Sequence, residues 1–569
     1  MGAQMYDIYE ETWQELTAPG APFEVERIEV RGSLMPAYKN APSSLRDFWL
    51  STAVFGQREY LIYEEERLTY EEVHLRVSSV ARWLADQGVK SGDRVAVSMR
   101  NFPEWLIVYW ACVSTGIAVV GMNAWWVEDE MEYGLTDCSP KVLFCDEERL
   151  NRFLNIQQKF ANLLTVCVRL RKSQPGIVDW SEVASARSEL PDVLIDPDQD
   201  ACIFYTSGTT GNPKGAQLTH RGCIHNIMSM NFGGQLMLLT SCKMLNVAPP
   251  APNDAQPMNA LVTTPLFHVA ANNCLAHPVT RVGGKLVLMY RWDAGAALKL
   301  IEAEGITIVS GVPVMSRELI NHPDFENYDT STLRSVSGGG AQVQPDLMER
   351  IDKTVSTARP STGFGMTETC GGVTSIIGDF FVDKPDSCGP AMPAFDVKIV
   401  DADGKTLPQG EIGELWLRGA AVIKGYLNHE RATTETITDG WLHTGDVAKL
   451  DEHGFIFIVD RVKDMVLRGG ENVYCSEVEA VLYRLDEIAE CSVFGVPDER
   501  LGEDVGVCIY LRPGSDIKTG AIREYCRSHM AKYKVPRFIW FSSEPLPRNA
   551  SGKFLKRELR DSLDLADTL

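Results

Sequence analysis

The chain of 569 residues has little that would hold a zinc ion: its 14 cysteines, from Cys112 to Cys526, include no C-x-x-C pair, and its 10 histidines form no tract. That pattern excludes the common structural zinc sites and predicts free thiols in a reducing, cytoplasmic setting. Positive charge is also scarce. Against 77 Asp and Glu stand 55 Lys and Arg, a formal charge of −22, and a field of that sign opposes nucleic-acid backbones. No nucleic-acid partner is expected, and an anionic ligand must be met by local donors. The opening MGAQMYDIYEETW lacks the basic and apolar regions of a signal peptide and carries Tyr6 where myristoylation needs Ser or Thr. The closing ADTL is not a peroxisomal tripeptide, so no targeting is expected. Internal repeats, coiled-coil heptads and low-complexity tracts are missing as well. What remains, 44% hydrophobic and 23% charged, is the composition of a globular protein with two or more domains.

One run is unusually apolar. From Trp105 to Val127 there is no formally charged residue, a length that could span a bilayer. Gly116 and Gly121 divide it, Pro103 and Glu104 open its first half like a helix, and IAVVGMN is a short β-branched run. A buried helix followed by a buried parallel strand is therefore predicted, and membrane contact is left open but not indicated. The runs RVAVSM (94–99), KVLFCD (141–146), KLVLMY (285–290) and ITIVSG (306–311) alternate with helix-length amphipathic stretches, which predicts α/β layers with parallel sheets. Between Val397 and Leu417 short strands with turns at Asp403-Gly404 and Gln409-Gly410 predict antiparallel structure. From 461 onward the chain reads as a compact C-terminal domain, with helices at 476–483 and 518–529 and strands at 490–496 and 505–511. The stretch 248–256, APPAPNDAQ, has least to bury.

After the apolar run 201–205 comes TSGTTGNPKG (206–215). Its glycines let backbone N–H groups turn towards an anion, its hydroxyls add neutral donors, and Lys214 supplies a mobile charge. A kinase-type P-loop needs Gly before the lysine and Ser or Thr after it; Pro213 and Gly215 stand there instead. No nucleophile elbow or triad pattern is present either.

These ten positions resemble the phosphate loop of the adenylate-forming superfamily, which includes acyl-CoA synthetases, luciferases and peptide-synthetase adenylation domains. The resemblance runs from roughly residue 40 to 560 with the motifs in the family's order. It implies an α/β fold with a large N-terminal domain of α/β layers and a β-rich subdomain (1–460), plus a small mobile α+β C-terminal domain (461–569). By resemblance, Thr206, Ser207, Gly208, Thr209, Thr210 and Lys214 meet the phosphates. Gly339, Gly340 and Ala341 wall the adenine and acyl pockets. In STGFGMTE (361–368), Gly363, Phe364, Gly365 and Met366 line the nucleotide, Thr367 donates to the α-phosphate, and Glu368 is a hard ligand for Mg2+. Asp446 accepts the ribose hydroxyls and Arg461 reaches the same sugar. Lys553, in PRNASGK (547–553), contacts the carboxylate and the α-phosphate, so Lys553, Glu368 and Thr367 form the implied catalytic set. Gly469, Gly470 and Glu471 carry the pantetheine of coenzyme A, and Lys463 is the hinge about which the C-terminal domain turns. Phe267, His268, Gly340, Gly365 and the small residues near 311–315 fall where the acyl pocket lies, and an apolar lining suits a fatty or aryl acid.

The function implied is ATP- and Mg2+-dependent activation of a carboxylic acid to acyl-AMP, followed by transfer to coenzyme A. A homodimer is compatible with it. Other acceptors stay open by motif, as in amino-acid or carrier-protein ligases or a luciferase, although only 16 residues follow Lys553, too few for a carrier module. A catalytically silent nucleotide-binding protein would be expected to lack Lys553, Glu368 or Asp446, and all three are present.

Overall fold

The computed structural model describes residues 2–184, 189–206, 212–251, 258–338, 345–355, 357–469, 471–548 and 553–563. Two large sheets form the N-terminal part. The first runs Lys214–Thr219, Asp200–Thr206, Ala118–Gly121, Arg94–Ser98, Val142–Asp146, Leu164–Val168, Ile177–Asp179 in spatial order, parallel throughout except for the 214–219 strand, which folds back as a hairpin. The second runs Ile376–Ile377, Arg359–Thr362, Ser335–Gly338, Ile308–Gly311, Asn259–Val262, Lys285–Leu288, Glu59–Tyr63, Glu66–Thr69, antiparallel only at its two edges. All four apolar runs picked out by alternation are strands of these sheets, because central parallel strands are covered on both faces and need apolar side chains on both.

The uncharged run divides as its glycines predict. Pro103–Val113 is a helix with every residue buried, and Ala118–Gly121 is a central strand. The helix belongs to one apolar cluster with residues of both sheets, among them Leu61, Val95, Val97 and Val262, and Trp110 Nε1 donates to Tyr60 Oη at 2.9 Å. Each Leu, Ile or Val so buried contributes about 1.5–3 kcal/mol, which explains a helix apolar on all sides outside a membrane. Among the described residues no helix is long and apolar enough to cross a bilayer.

A smaller antiparallel sheet follows, ordered Gly389–Pro390, Phe455–Arg461, Trp441–Leu450, Gly413–Arg418, Asp396–Val400. It contains the antiparallel pair expected between 397 and 417. The chain leaves this sheet at Arg461 and enters another at Val466. That last sheet comprises Val466–Arg468, Glu471–Val473, Ile488–Asp498, Gly502–Leu511 and Phe538–Ser542. Helices Cys475–Leu482 and Thr519–His529 close their own apolar core on it, with Val478, Leu482, Ile522 and Cys526 buried.

Three N-terminal elements have no counterpart in the expectations from sequence. Helix Gly2–Thr17 lies on the long helix His220–Leu245, with the Trp13 ring 4.6 Å from that of Phe232, and Tyr6 Oη donates to Asp383 Oδ2 at 2.6 Å. Strands Val25–Val30 and Ser33–Tyr38 pair beside it. Of the stretch 248–256, residues 248–251 are exposed and without regular structure, and the rest lies outside the described residues.

Candidate active site

The phosphate-loop segment is framed by the hairpin of Asp200–Thr206 and Lys214–Thr219, in which Thr206 pairs with Lys214. Thr206 Oγ1 donates to Lys214 O at 3.4 Å. Ser207, Gly208, Thr209 and Thr210 lie outside the described residues, as do Gly339, Gly340, Ala341 and Gly470. Lys214 Nζ stands 4.7 Å from the centre of the Tyr426 ring, a cation on an aromatic face.

Thr367–Thr369 form a short 3-10 turn, and Glu368 within it is buried. Its Oε1 accepts the Tyr426 hydroxyl at 2.7 Å, and its carbonyl accepts Ile423 N at 2.9 Å. Burial and the neighbouring Glu368 push the Tyr426 phenol above its ordinary range, so it stays protonated as a donor. Phe364 and Met366 rest half-buried against the large core. The flanking glycines answer to their own hairpin: a Cβ on Gly365 would stand 2.2 Å from Gly371 O, and one on Gly363 would stand 2.4 Å from Thr374 O. Gly365 pairs with Gly372, so backbone packing alone requires glycine there, whatever further role it has beside a ligand.

Asp446 and Arg461 are opposite residues of adjacent antiparallel strands. Asp446 is buried, which raises its carboxyl pKa above the ordinary value, and the Arg461 and Lys553 charges oppose that rise. Lys553 comes from the far end of the chain to the same place. Its ammonium pKa is lowered by burial and by Arg461, while Asp446, Glu368 and Asp464 pull it the other way. His268 is close enough to feel the Lys553 charge, yet burial is the larger influence that brings its imidazole down to about 4. The ring is therefore neutral at pH 7, and among the described residues its buried Nε2 has no hydrogen-bond partner. Asn101 holds the segment before His268, donating to Thr264 O and accepting from Leu266 N, both at 3.0 Å.

A buried acceptor, a carboxylate with one oxygen already hydrogen-bonded, and a desolvated lysine thus lie within one another's electrostatic reach. Family models identify the chain through this region: that of the AMP-binding enzyme matches residues 48–427, and that of the AMP-binding enzyme C-terminal domain matches residues 477–553. The chain belongs to the AMP-binding enzymes. Among the relatives of this AMP-binding enzyme, a feruloyl-CoA synthase of Amycolatopsis is 35% identical over 496 residues, 87% of this chain and 93% of the relative. The mitochondrial medium-chain acyl-CoA ligase of Mus musculus is 31% identical, over 90% of this chain and 86% of its own. The o-succinylbenzoate CoA synthetase of Bacillus subtilis, solved with its acyl-adenylate intermediate, is 28% identical with a TM-score of 0.75 over 91% of this chain and 98% of that one. The same synthetase has been solved with ATP and a magnesium ion, at 28% identity and a TM-score of 0.75 over 90% of this chain and 99% of that one.

Other residues singled out by motif lie elsewhere in this AMP-binding enzyme. Gly469 and Glu471 flank the tip of a hairpin of the last sheet, where Gly469 has φ +60° and donates to Leu501 O at 2.8 Å. Lys463 is exposed in the turn that leaves Arg461. Gly311 ends a strand of the second sheet, and a Cβ there would stand 2.9 Å from Met315 Sδ. Tyr426 was not foreseen from sequence; the Gly425-Tyr426 pair between two strands is its only trace there, and a lone glycine-aromatic pair carries little information.

Proposed function

We infer that this AMP-binding enzyme is an AMP-forming acid–thiol ligase: it joins a carboxylic acid to the α-phosphate of ATP, releases pyrophosphate, and passes the acyl group to coenzyme A. The observation that carries this reading is the pair of buried carboxylates, Asp446 beside Arg461 and Glu368 held by Tyr426, with the charge of Lys553 felt at Asp446. An anionic carboxylate attacking an anionic phosphate needs charge neutralised and the two partners aligned. Lys553 faces both, while the neutral His268 adds no second cation beside the acyl group. Asp446 accepts the ribose diol, and Arg461 keeps that carboxylate ionised. Pyrophosphate departs along the hairpin that carries Lys214. Because the carboxylate is itself the nucleophile, no nucleophilic protein side chain takes part.

Glu368 fits a magnesium ion. Oε1 accepts the Tyr426 hydroxyl, and Oε2 is the hard oxygen left for a cation. A single carboxylate suits Mg2+, which takes one or two carboxylates and completes its shell with water and substrate phosphates. Bound there, the ion would neutralise phosphate charge.

The thioester step needs a thiol at the carbonyl that Lys553 occupies. The passage from one sheet to another between Arg461 and Val466 supports a division of the chain at 460/461, with Lys463 as the hinge that withdraws Lys553 and brings the hairpin of Gly469 to Glu471 to the site. The acid is apolar, fatty or aryl: Phe267 is buried, and its ring centre lies 4.7 Å from that of His268. The free, mostly buried cysteines support a reducing compartment such as the cytoplasm. A panel of fatty, cinnamic and small polar acids, assayed for CoA-dependent AMP release, tests the reading; AMP release confined to amino acids, or independent of CoA, would refute it.

A further inference from the structure

Residues 423–427 are tied on both sides by their backbone. On one side Lys424 N donates to Gln217 O, Gln217 N to Gly425 O and Leu427 N to Gly215 O, at 2.8–3.0 Å, so the segment bridges to the hairpin strand Lys214–Thr219 through Ala216 and Tyr426. On the other, Ile423 N donates to the carbonyl of Glu368. Tyr426 repeats the arrangement with its side chain: its hydroxyl donates to Glu368 Oε1 and its ring lies under Lys214 Nζ. The residue is buried, and Thr433 Oγ1 accepts its backbone N–H at 2.9 Å. Gly425 before it has φ +159°, and a Cβ there would stand 2.8 Å from Thr433 Cγ2, so the turn presenting Tyr426 is itself tightly held.

We propose that Tyr426 is a positioning residue of the adenylation site, which locks the Glu368 carboxylate for the divalent cation and fixes it relative to the cation of the phosphate loop; this rests on the reading that Glu368 meets Mg2+. A carboxylate on a free side chain can turn either oxygen outward. With Oε1 engaged by a buried phenol, the orientation of Oε2 is set before metal and nucleotide arrive. Partners of metal-binding carboxylates act in this way, and losing one weakens metal binding by roughly tenfold or more.

The test is a titration of full-length protein with Mn2+ and ATP, reading free Mn2+ by electron paramagnetic resonance. Wild type, Tyr426→Phe and Glu368→Gln are compared, with ATP affinity in EDTA and thermal midpoints alongside. Phe keeps the ring beneath Lys214 and loses only the hydroxyl. Tyr426→Phe is expected to weaken binding of Mn2+ with ATP about tenfold while leaving metal-free ATP affinity and the midpoint at wild-type values. Wild-type Mn2+ affinity in Tyr426→Phe, with the loss confined to Glu368→Gln, overturns the proposal alone. An equal weakening of ATP binding with and without metal also overturns it, since that is what a packing role gives. Wild-type Mn2+ affinity in Glu368→Gln overturns instead the metal assignment beneath it.

Discussion

The Nε atom of Arg461 lies 3.2 Å from Oδ1 of Asp446 across two adjacent strands, the arginine half exposed and the aspartate buried. Burial withdraws Asp446 from water, and the Arg461 charge opposes the rise in carboxyl pKa that burial causes.

From this follows a pH dependence with a definite sign. Burial raises the Asp446 pKa and Arg461 opposes it, so Arg461→Ala lets it rise further. In the proposed role the ionised form accepts the ribose hydroxyls, so the acid limb of kcat/KM for ATP should move to higher pH, and at neutral pH the value should fall about tenfold. A pH–rate profile with an unmoved acid limb would contradict the ribose role.

Lys553→Ala should separate the half-reactions. Exchange of pyrophosphate into ATP is expected to be lost, while added acyl-adenylate and CoA still give thioester. Parallel loss of both activities would show that the lysine does more than adenylate.

Lys463→Pro fixes φ at the proposed hinge. Thioester formation from supplied acyl-adenylate should slow more than pyrophosphate exchange does. If the thioester rate is unchanged, rotation about this residue is not how the enzyme reaches its second step.

With Lys214 in its proposed role at the phosphates, Lys214→Ala removes one charge-assisted contact of about 1.5–3 kcal/mol and should raise KM for ATP with a smaller fall in kcat. Steady-state kinetics at saturating acid and CoA decide it: an ATP dependence untouched by Lys214→Ala would mean that the loop meets its ligand differently.

What could be read before folding was local. KVLFCD declares a strand by its apolar content and Val142–Asp146 is one; Gly116 and Gly121 reveal that the uncharged run is broken and not a span. The proposed phosphate loop is a local signal of the same kind, since its glycines, hydroxyls and lysine are neighbours in sequence. The partnership of Tyr426 with Glu368 joins residues 58 positions apart, and no local pattern encodes it. Nor does composition reveal why Gly365 is glycine, since the obstructing atom is the carbonyl of Gly371, brought close by a turn. Helix Gly2–Thr17 escaped notice because its apolar residues serve a surface assembled from His220–Leu245 and Phe380, elements far along the chain.

The burial of the cysteines has a chemical consequence. An acyl-adenylate is a potent electrophile, and a thiolate within reach of it would be acylated and the enzyme spent. Twelve of the fourteen thiols are buried, and burial pushes the two partly exposed ones, Cys274 and Cys388, up to about 12. Even Cys370, two positions after Glu368, is sealed beneath the surface. An acyl-adenylate formed by the enzyme thus finds no fully exposed cysteine, and the sulfur nucleophile it meets arrives from solution as substrate.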